Sequence, residues 1–179
     1  SRNNLSLNKL KKNAMIGTSS FRREFQLKLV RPDLKFKLIR GNIDTRIKKL
    51  NDGFYDGIIL SLAGIKSLRM EHEVSEIFSN KMMLPSAGQG IIALQSHKDD
   101  EEINSILKNI NHYETFLKAQ AERNVLKILE GNCETAIGVQ AEVSNNQLTL
   151  EAELFSLDGS KRFYEKKSSK IENAKELGK

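Results

Sequence analysis

Hydrophobic positions change period along this chain, and the change divides it in two. In the first part, short apolar runs alternate with amphipathic stretches. Ala14-Met15-Ile16 reads as a short strand ending at Gly17-Thr18-Ser19-Ser20. Phe21, Phe25 and Leu29 then predict a helix that closes before Pro32, and Thr18, Ser19 or Ser20 can cap it. A second strand is expected over Lys35–Arg40, where Phe36 and Leu38 alternate; Gly41-Asn42 breaks it. Ile43, Ile47 and Leu50 share one face of a short helix, which Asn51-Asp52-Gly53 stops. Asp56–Ser61 reads as a third strand, and its continuous Ile58-Ile59-Leu60 suits a parallel strand buried on both faces. Ala63–Met70 begins another helix. This alternation predicts an α/β unit around a parallel sheet.

Pro85-Ser86-Ala87-Gly88-Gln89-Gly90 interrupts the alternation. A strand is predicted at Ile91–Gln95 and a polar helix at Asp99–Asn109. A strong helix follows over Tyr113–Leu129, with Leu117, Ala121, Val125 and Leu129 at four-residue spacing. Beyond Cys133 the period falls to two. Ala136–Val143 reads as a strand and Asn145-Asn146 as a turn. Gln147–Phe155 carries Leu148, Leu150, Ala152 and Leu154 on one face, and Asp158-Gly159 turns into a strand over Lys161–Lys166. These make an antiparallel meander, and Ile171–Lys179 begins a helix. The fold class expected is α/β, a parallel-sheet domain followed by a small α+β domain with a three-stranded antiparallel sheet. The change falls near 98–111.

Composition narrows the function classes. The chain has 179 residues, 39% of them apolar, and its longest apolar runs are far too short to cross a bilayer. Residues 1–13 lack the apolar stretch of a signal peptide. The single cysteine excludes an internal disulfide framework and suits a reducing compartment. His72, His97 and His112 stand apart from each other and from Cys133, so no metal site is expected. A net charge of +6 suits either a solvated lysine surface or an anionic ligand. Aromatics are only 6%, with no Trp, which argues against nucleic acid as the partner. Lysines are spread along the chain, whereas arginines fall at motif positions, and the planar guanidinium fork suits discrete carboxylates.

Arg22 and Arg23 follow a strand–turn at the first turn of a helix, where positive charge is unfavourable unless an anion compensates it. Arg40-Gly41-Asn42 ends the second strand in the same way, and Arg46 lies one turn into the next helix. In an open α/β sheet these strand ends share one edge, with Ser61 and Gly64 at the third. Arg22, Arg23, Arg40 and Arg46 are therefore expected to converge on one cleft, where they repel each other unless a polyanion binds. Each also has a plainer reading as a solvated helix start. Cys133, in Leu129-Glu130-Gly131-Asn132-Cys133, is either a small buried hydrophobe or a thiol placed for chemistry. Gly131 and Asn132 tolerate unusual backbone angles and polar surroundings. No general acid or base stands out: Asp44 and Asp52 suit caps, and Asp56 a turn. Gly88-Gln89-Gly90 has no Walker lysine.

Taken together, these motifs resemble the porphobilinogen deaminase (hydroxymethylbilane synthase) family of haem biosynthesis. The runs that carry the resemblance are Ile16-Gly17-Thr18-Ser19-Ser20-Phe21-Arg22-Arg23, Ile39-Arg40-Gly41-Asn42 with Thr45-Arg46, and Leu60-Ser61-Leu62-Ala63-Gly64. They continue with Gly88-Gln89-Gly90, Ala121-Glu122-Arg123 and Leu129-Glu130-Gly131-Asn132-Cys133, in the family's order. Phe21 stands where leucine is usual, Asn132 where a second glycine is common, and Ser61 where alanine is usual.

The resemblance implies a transferase that joins porphobilinogen units, with loss of ammonia, into hydroxymethylbilane. Chain growth is primed by a dipyrromethane cofactor held through a thioether to Cys133. It implies that Arg22, Arg23, Arg40 and Arg46 bind the acetate and propionate groups of the pyrroles, with Ser19, Ser20 and Gln89. Ser61, Ala63, Gly64 and Gly90 line the same cleft. It further implies a domain over 1–84 that binds carboxylates and resembles an incomplete binding-protein lobe. A segment over 85–112 would return to an N-terminal domain, and a cofactor-attachment domain would span 113–179. On this reading the catalytic aspartate lies in that N-terminal domain, an intramolecular partner not supplied before Ser1. The chain alone is then inactive and the whole enzyme a monomer of the cytosol or a plastid. Two other classes compete: a solute-binding module for a small polycarboxylate, with Cys133 inert, and, on charge alone, a nucleic-acid-binding domain.

Overall fold

Three short parallel strands make the first sheet: β1 (Met15–Gly17), β2 (Lys35–Lys37) and β3 (Gly57–Ile58), in the order β2-β1-β3. The computed structural model describes residues 1–131 and 135–178. Met15 pairs with Lys35 and Gly17 with Lys37 on one side of β1; Ile16 pairs with Gly57 and Gly17 with Ile58 on the other. The flanking strands are shorter than their apolar runs because a ladder is only as long as its partner. Single further bonds extend it, from the Asp56 N–H to the Met15 carbonyl and from the Ile59 N–H to the Gly17 carbonyl.

Alternate residues of the sheet enter opposite cores. Ile16, Phe36 and Ile59 join Leu7, Ala14, Leu27 and Leu34 on one face. Met15 and Ile58 join Ile39, Leu50 and Tyr55 on the other. Leu27 comes from helix α1 (Phe21–Val30) and Leu50 from helix α2 (Ile43–Asn51), so each face is covered by a helix, as a parallel sheet requires. Short helix α3 (Leu62–Ser67) follows β3.

The second sheet is an antiparallel meander of β4 (Ile137–Ser144), β5 (Gln147–Phe155) and β6 (Arg162–Lys170). Asn145 and Asn146 both take positive φ, the two-residue turn that matches strand twist in a hairpin. Helix α5 (Tyr113–Ile128) lays Leu117, Ala121 and Val125 on Val139, Ala141, Leu148 and Leu150, and helix α6 (Ala174–Leu177) closes the cluster with Ala174 and Leu177. Two compact units result: residues 1–83, 135–136 and 154–163 form one, and 84–131, 137–153 and 164–178 the other.

Two sequence expectations are corrected. Ile91–Gln95 forms no strand, because neither sheet offers it a ladder partner; Ile92 is 87% exposed. Helix α4 (Glu101–Ile110) forms as expected but buries none of its residues. In β5 the buried set runs Leu148, Leu150, then Glu153 and Phe155, so Leu154 does not continue one face. Phe155 packs with Phe25 and Ala136 instead of with α5, and that second packing partner shifts the phase. The left-handed residue after α5 is Glu130, at φ 50°, and not Gly131. The Gly131 N–H donates to the Leu126 carbonyl and the Glu130 N–H to the Lys127 carbonyl, a Schellman end. Gly131 is demanded by space: a Cβ there would lie 2.7 Å from Ile137 Cδ1.

Candidate functional site

The carboxyl ends of β1, β2 and β3 lead directly to the starts of α1, α2 and α3. Each helix is capped by the side chain the sequence offers there. The Ser20 hydroxyl accepts from the Arg23 N–H, Asn42 Oδ1 from the Thr45 N–H, and the Ser61 hydroxyl from the Gly64 N–H. Thr18, buried, accepts from the Ser20 N–H and so braces the cap from behind. Ser19 is left exposed at the turn.

Arg23 reaches from α1 to the end of β3, where one guanidinium N–H donates to the Ile59 carbonyl at 3.0 Å. Arg46, on α2, donates from Nε to the Gly41 carbonyl at 2.7 Å. Burial, and then the positive charge of Arg46, hold the Arg23 guanidinium below its ordinary pKa. Arg40 is exposed at the end of the second strand segment, and Lys49 Nζ donates to its carbonyl. Among the described residues no acid forms an ion pair with Arg23, Arg40 or Arg46. Cations are thus gathered at one sheet edge with no ion-paired acid among the described residues.

Arg22 sits elsewhere. It is 5% exposed and shares the buried face of α1 with Phe25 and Gln26, about 100° round the helix from Arg23. Gly64 permits the close approach of α3 to α2: a Cβ there would lie 2.8 Å from Ile43 Cδ1. Ala63 beside it is exposed.

Gln89 and Gly90 belong to the other unit, in a double turn. The Gln89 N–H donates to the Ser86 carbonyl and the Ile91 N–H to the Gly88 carbonyl, while Gly88 and Gly90 take φ of 70° and 85°. Sequence reasoning missed what holds this turn. Glu122, on α5 and only 6% exposed, accepts from the Gly88 N–H at 2.7 Å and from the Ala141 N–H at 2.9 Å. Burial raises its pKa despite those two donors. The available signal was an acid set between Ala121 and Val125 on an apolar helix face. Tyr55 was missed too; it is buried, and its hydroxyl donates to the Leu38 carbonyl.

Cys133 and Asn132 lie outside the described residues. Among those described, no group of three or more His, Cys, Asp or Glu side chains is placed to hold a metal ion. No helix among them is long and apolar enough to cross a membrane.

Residues 1–105 match the family described as "Porphobilinogen deaminase, dipyromethane cofactor binding domain", and residues 116–179 match "Porphobilinogen deaminase, C-terminal domain". The chain is 44% identical over 172 residues to a porphobilinogen deaminase of Desulforamulus reducens, covering 96% of this chain and 56% of that protein. It is 40% identical over 178 residues to one of Syntrophomonas wolfei, covering 99% and 58%. A third, of Carboxydothermus hydrogenoformans, is 42% identical over 169 residues, covering 94% and 54%. The chain therefore spans a little over half the length of these curated relatives. With the dipyrromethane-domain match covering most of the parallel-sheet half and the C-terminal match covering the helix-and-meander half, the chain belongs to the porphobilinogen deaminase family.

Proposed function

We propose that this chain supplies the carboxylate-binding and cofactor-bearing parts of a hydroxymethylbilane synthase, a transferase that joins porphobilinogen units, releasing ammonia, into hydroxymethylbilane. One observation carries the reading: Arg23, Arg40 and Arg46 stand at a single sheet edge without an acid partner among the described residues. A cluster of that kind gains from a polyanion, and the acetate and propionate groups of a pyrrole chain are one. The first-turn N–H groups of α1 and α2 add donors for the same carboxylates. Ser19, Ser20, Ser61, Ala63 and Gly64 offer small or hydroxyl-bearing walls, and the family resemblance adds Gln89 and Gly90 as carboxylate-binding residues. Arg22, on the buried face of α1, belongs to the proposed binding set on the family resemblance.

The gathered cations fit a dipyrromethane, whose carboxylates would meet them, and its thioether sulfur would be that of Cys133. When bound, that group supplies the primer on which the tetrapyrrole is built. The protein side of the work is to neutralise and orient the growing polycarboxylate. The aspartate that assists the ring chemistry would come from an N-terminal domain of the whole protein, which the 85–112 segment would meet. The division into 1–84, 85–112 and 113–179 follows from the same reading, as do a monomeric enzyme of the cytosol or a plastid and an α/β half built like a binding-protein lobe.

The test is the intact mass of the whole enzyme and of its Cys133→Ser variant. We expect the enzyme to exceed its chain mass by two linked pyrrole units and to consume porphobilinogen, and the variant to carry no adduct and to be inactive. An adduct that survives in Cys133→Ser overturns the attachment site. Absence of any adduct from an enzyme that is active overturns the primer.

A further inference from the structure

Glu122 has a role in the Gly88-Gln89-Gly90 turn that goes beyond filling a core. Its carboxylate is buried in the middle of α5, and each oxygen takes one backbone N–H: Oε2 that of Gly88 in the turn, Oε1 that of Ala141 in β4. β4 is a fixed element, its Val139 and Ala141 packed on Leu117, Ala121 and Val125. Two further contacts tie the turn to that scaffold. The Val139 N–H donates to the Pro85 carbonyl at 2.8 Å, and Ala87 packs partly on the α5 cluster. The space beside both glycines is open: a Cβ on Gly88 or Gly90 would meet no atom within 4 Å. Glu122 thus anchors the residue immediately before the exposed Gln89.

We infer that Glu122 is a positioning residue, one that fixes the Gly88–Gly90 turn on the α5–β4 scaffold so that Gln89 is presented in one orientation to a substrate carboxylate. The inference rests on the proposed role of Gln89 and Gly90 in carboxylate binding. A carboxylate is needed and an amide does not replace it. Both N–H groups donate, so both oxygens must accept, and the amide NH2 of a glutamine would face a donor with a donor.

The experiment uses the whole enzyme with Glu122→Gln, Gln89→Ala and both together. Hydrogen exchange is followed in the segment over 84–91 and in β4, and kcat and KM are followed for porphobilinogen. Loss of one hydrogen bond to a charged group speeds exchange in 84–91 about tenfold. The β4 ladder keeps its protection. In the kinetics, Glu122→Gln lowers kcat/KM, and the double variant is no worse than Gln89→Ala alone, since both act through one side chain. Unchanged exchange in 84–91, or kinetic effects that simply add, overturns the inference. If 84–91 loosens while Gln89→Ala leaves the kinetics untouched, the anchoring stands and the binding role of Gln89 falls. Should the Gln variant fail to fold, Glu122→Asp gives the same readouts, since it keeps both acceptors but withdraws them by one methylene.

Discussion

A single pair shows how much one residue fixes near the start of the chain. Arg31 grips Asp33 with both Nε and a terminal nitrogen at 2.7 Å, and its other terminal nitrogen donates to the Leu7 carbonyl at 2.6 Å. The fork thereby ties the end of α1 to the turn that carries buried Leu7. Arg31 holds the Asp33 carboxyl at a pKa of about 2, below its ordinary 3.8. A carboxylate with a depressed folded-state pKa contributes stability that is present above the unfolded value and is lost as pH falls through the folded one. Denaturation midpoints of the chain should therefore exceed those of Asp33→Asn at neutral pH. The two curves should converge as pH drops from about 4 towards 2. A constant gap across that range rejects the pairing. At this scale the sequence was legible in part. Arg23, Arg40 and Arg46 were readable as strand-end cations because the α/β pattern dictates which edge they occupy. Arg22 and Arg23 were not separable, because adjacent residues differ only by a turn angle that depends on where the helix begins. Glu122 was hidden because its two donors come from segments 34 residues before it and 19 after it.

Elements were easier to read than their ends. Helix periodicity placed α1, α2, α4 and α5 to within a few residues, since each carries its own hydrogen bonds. Strand lengths depended on partners the pattern does not name, which is why β3 shrank to Gly57–Ile58 and Ile91–Gln95 formed no strand. At the end of α5 the left-handed position falls on Glu130 and not on the glycine that follows it. An L-residue with a Cβ costs about 1 kcal/mol in that conformation relative to glycine. Glu130→Gly should accordingly stabilise the chain by about 1 kcal/mol in chemical denaturation with an unchanged m-value. Gly131→Ala, which drives a Cβ towards Ile137, should destabilise it. Equal responses to the two substitutions would mean that the left-handed turn does not sit at Glu130.

Across the molecule, one apolar surface lies open along α4 and the segment before it. Ile103, Ile106 and Ile110 lie at i, i+3 and i+7 on α4, and all are exposed, as are Ile92 and Leu94. Exposed apolar residues at helical spacing are what a docked face looks like without its partner. The proposed reading supplies one in the N-terminal domain that the 85–112 segment would meet. If so, one substitution should register differently in two lengths of the same protein. In the 179-residue chain Ile106 is half exposed, and Ile106→Gln should change unfolding free energy by no more than about 0.5 kcal/mol. In the whole enzyme the same change should cost about 2 kcal/mol or more, because it removes a buried aliphatic side chain and leaves a buried amide. Parallel denaturation of the two proteins reads the difference directly. A small effect in both would leave the α4 face without a partner in the whole protein and would reject the assignment of 85–112 as the returning segment. A large effect in both would mean that Ile106 is already buried within these 179 residues, against its exposure on α4.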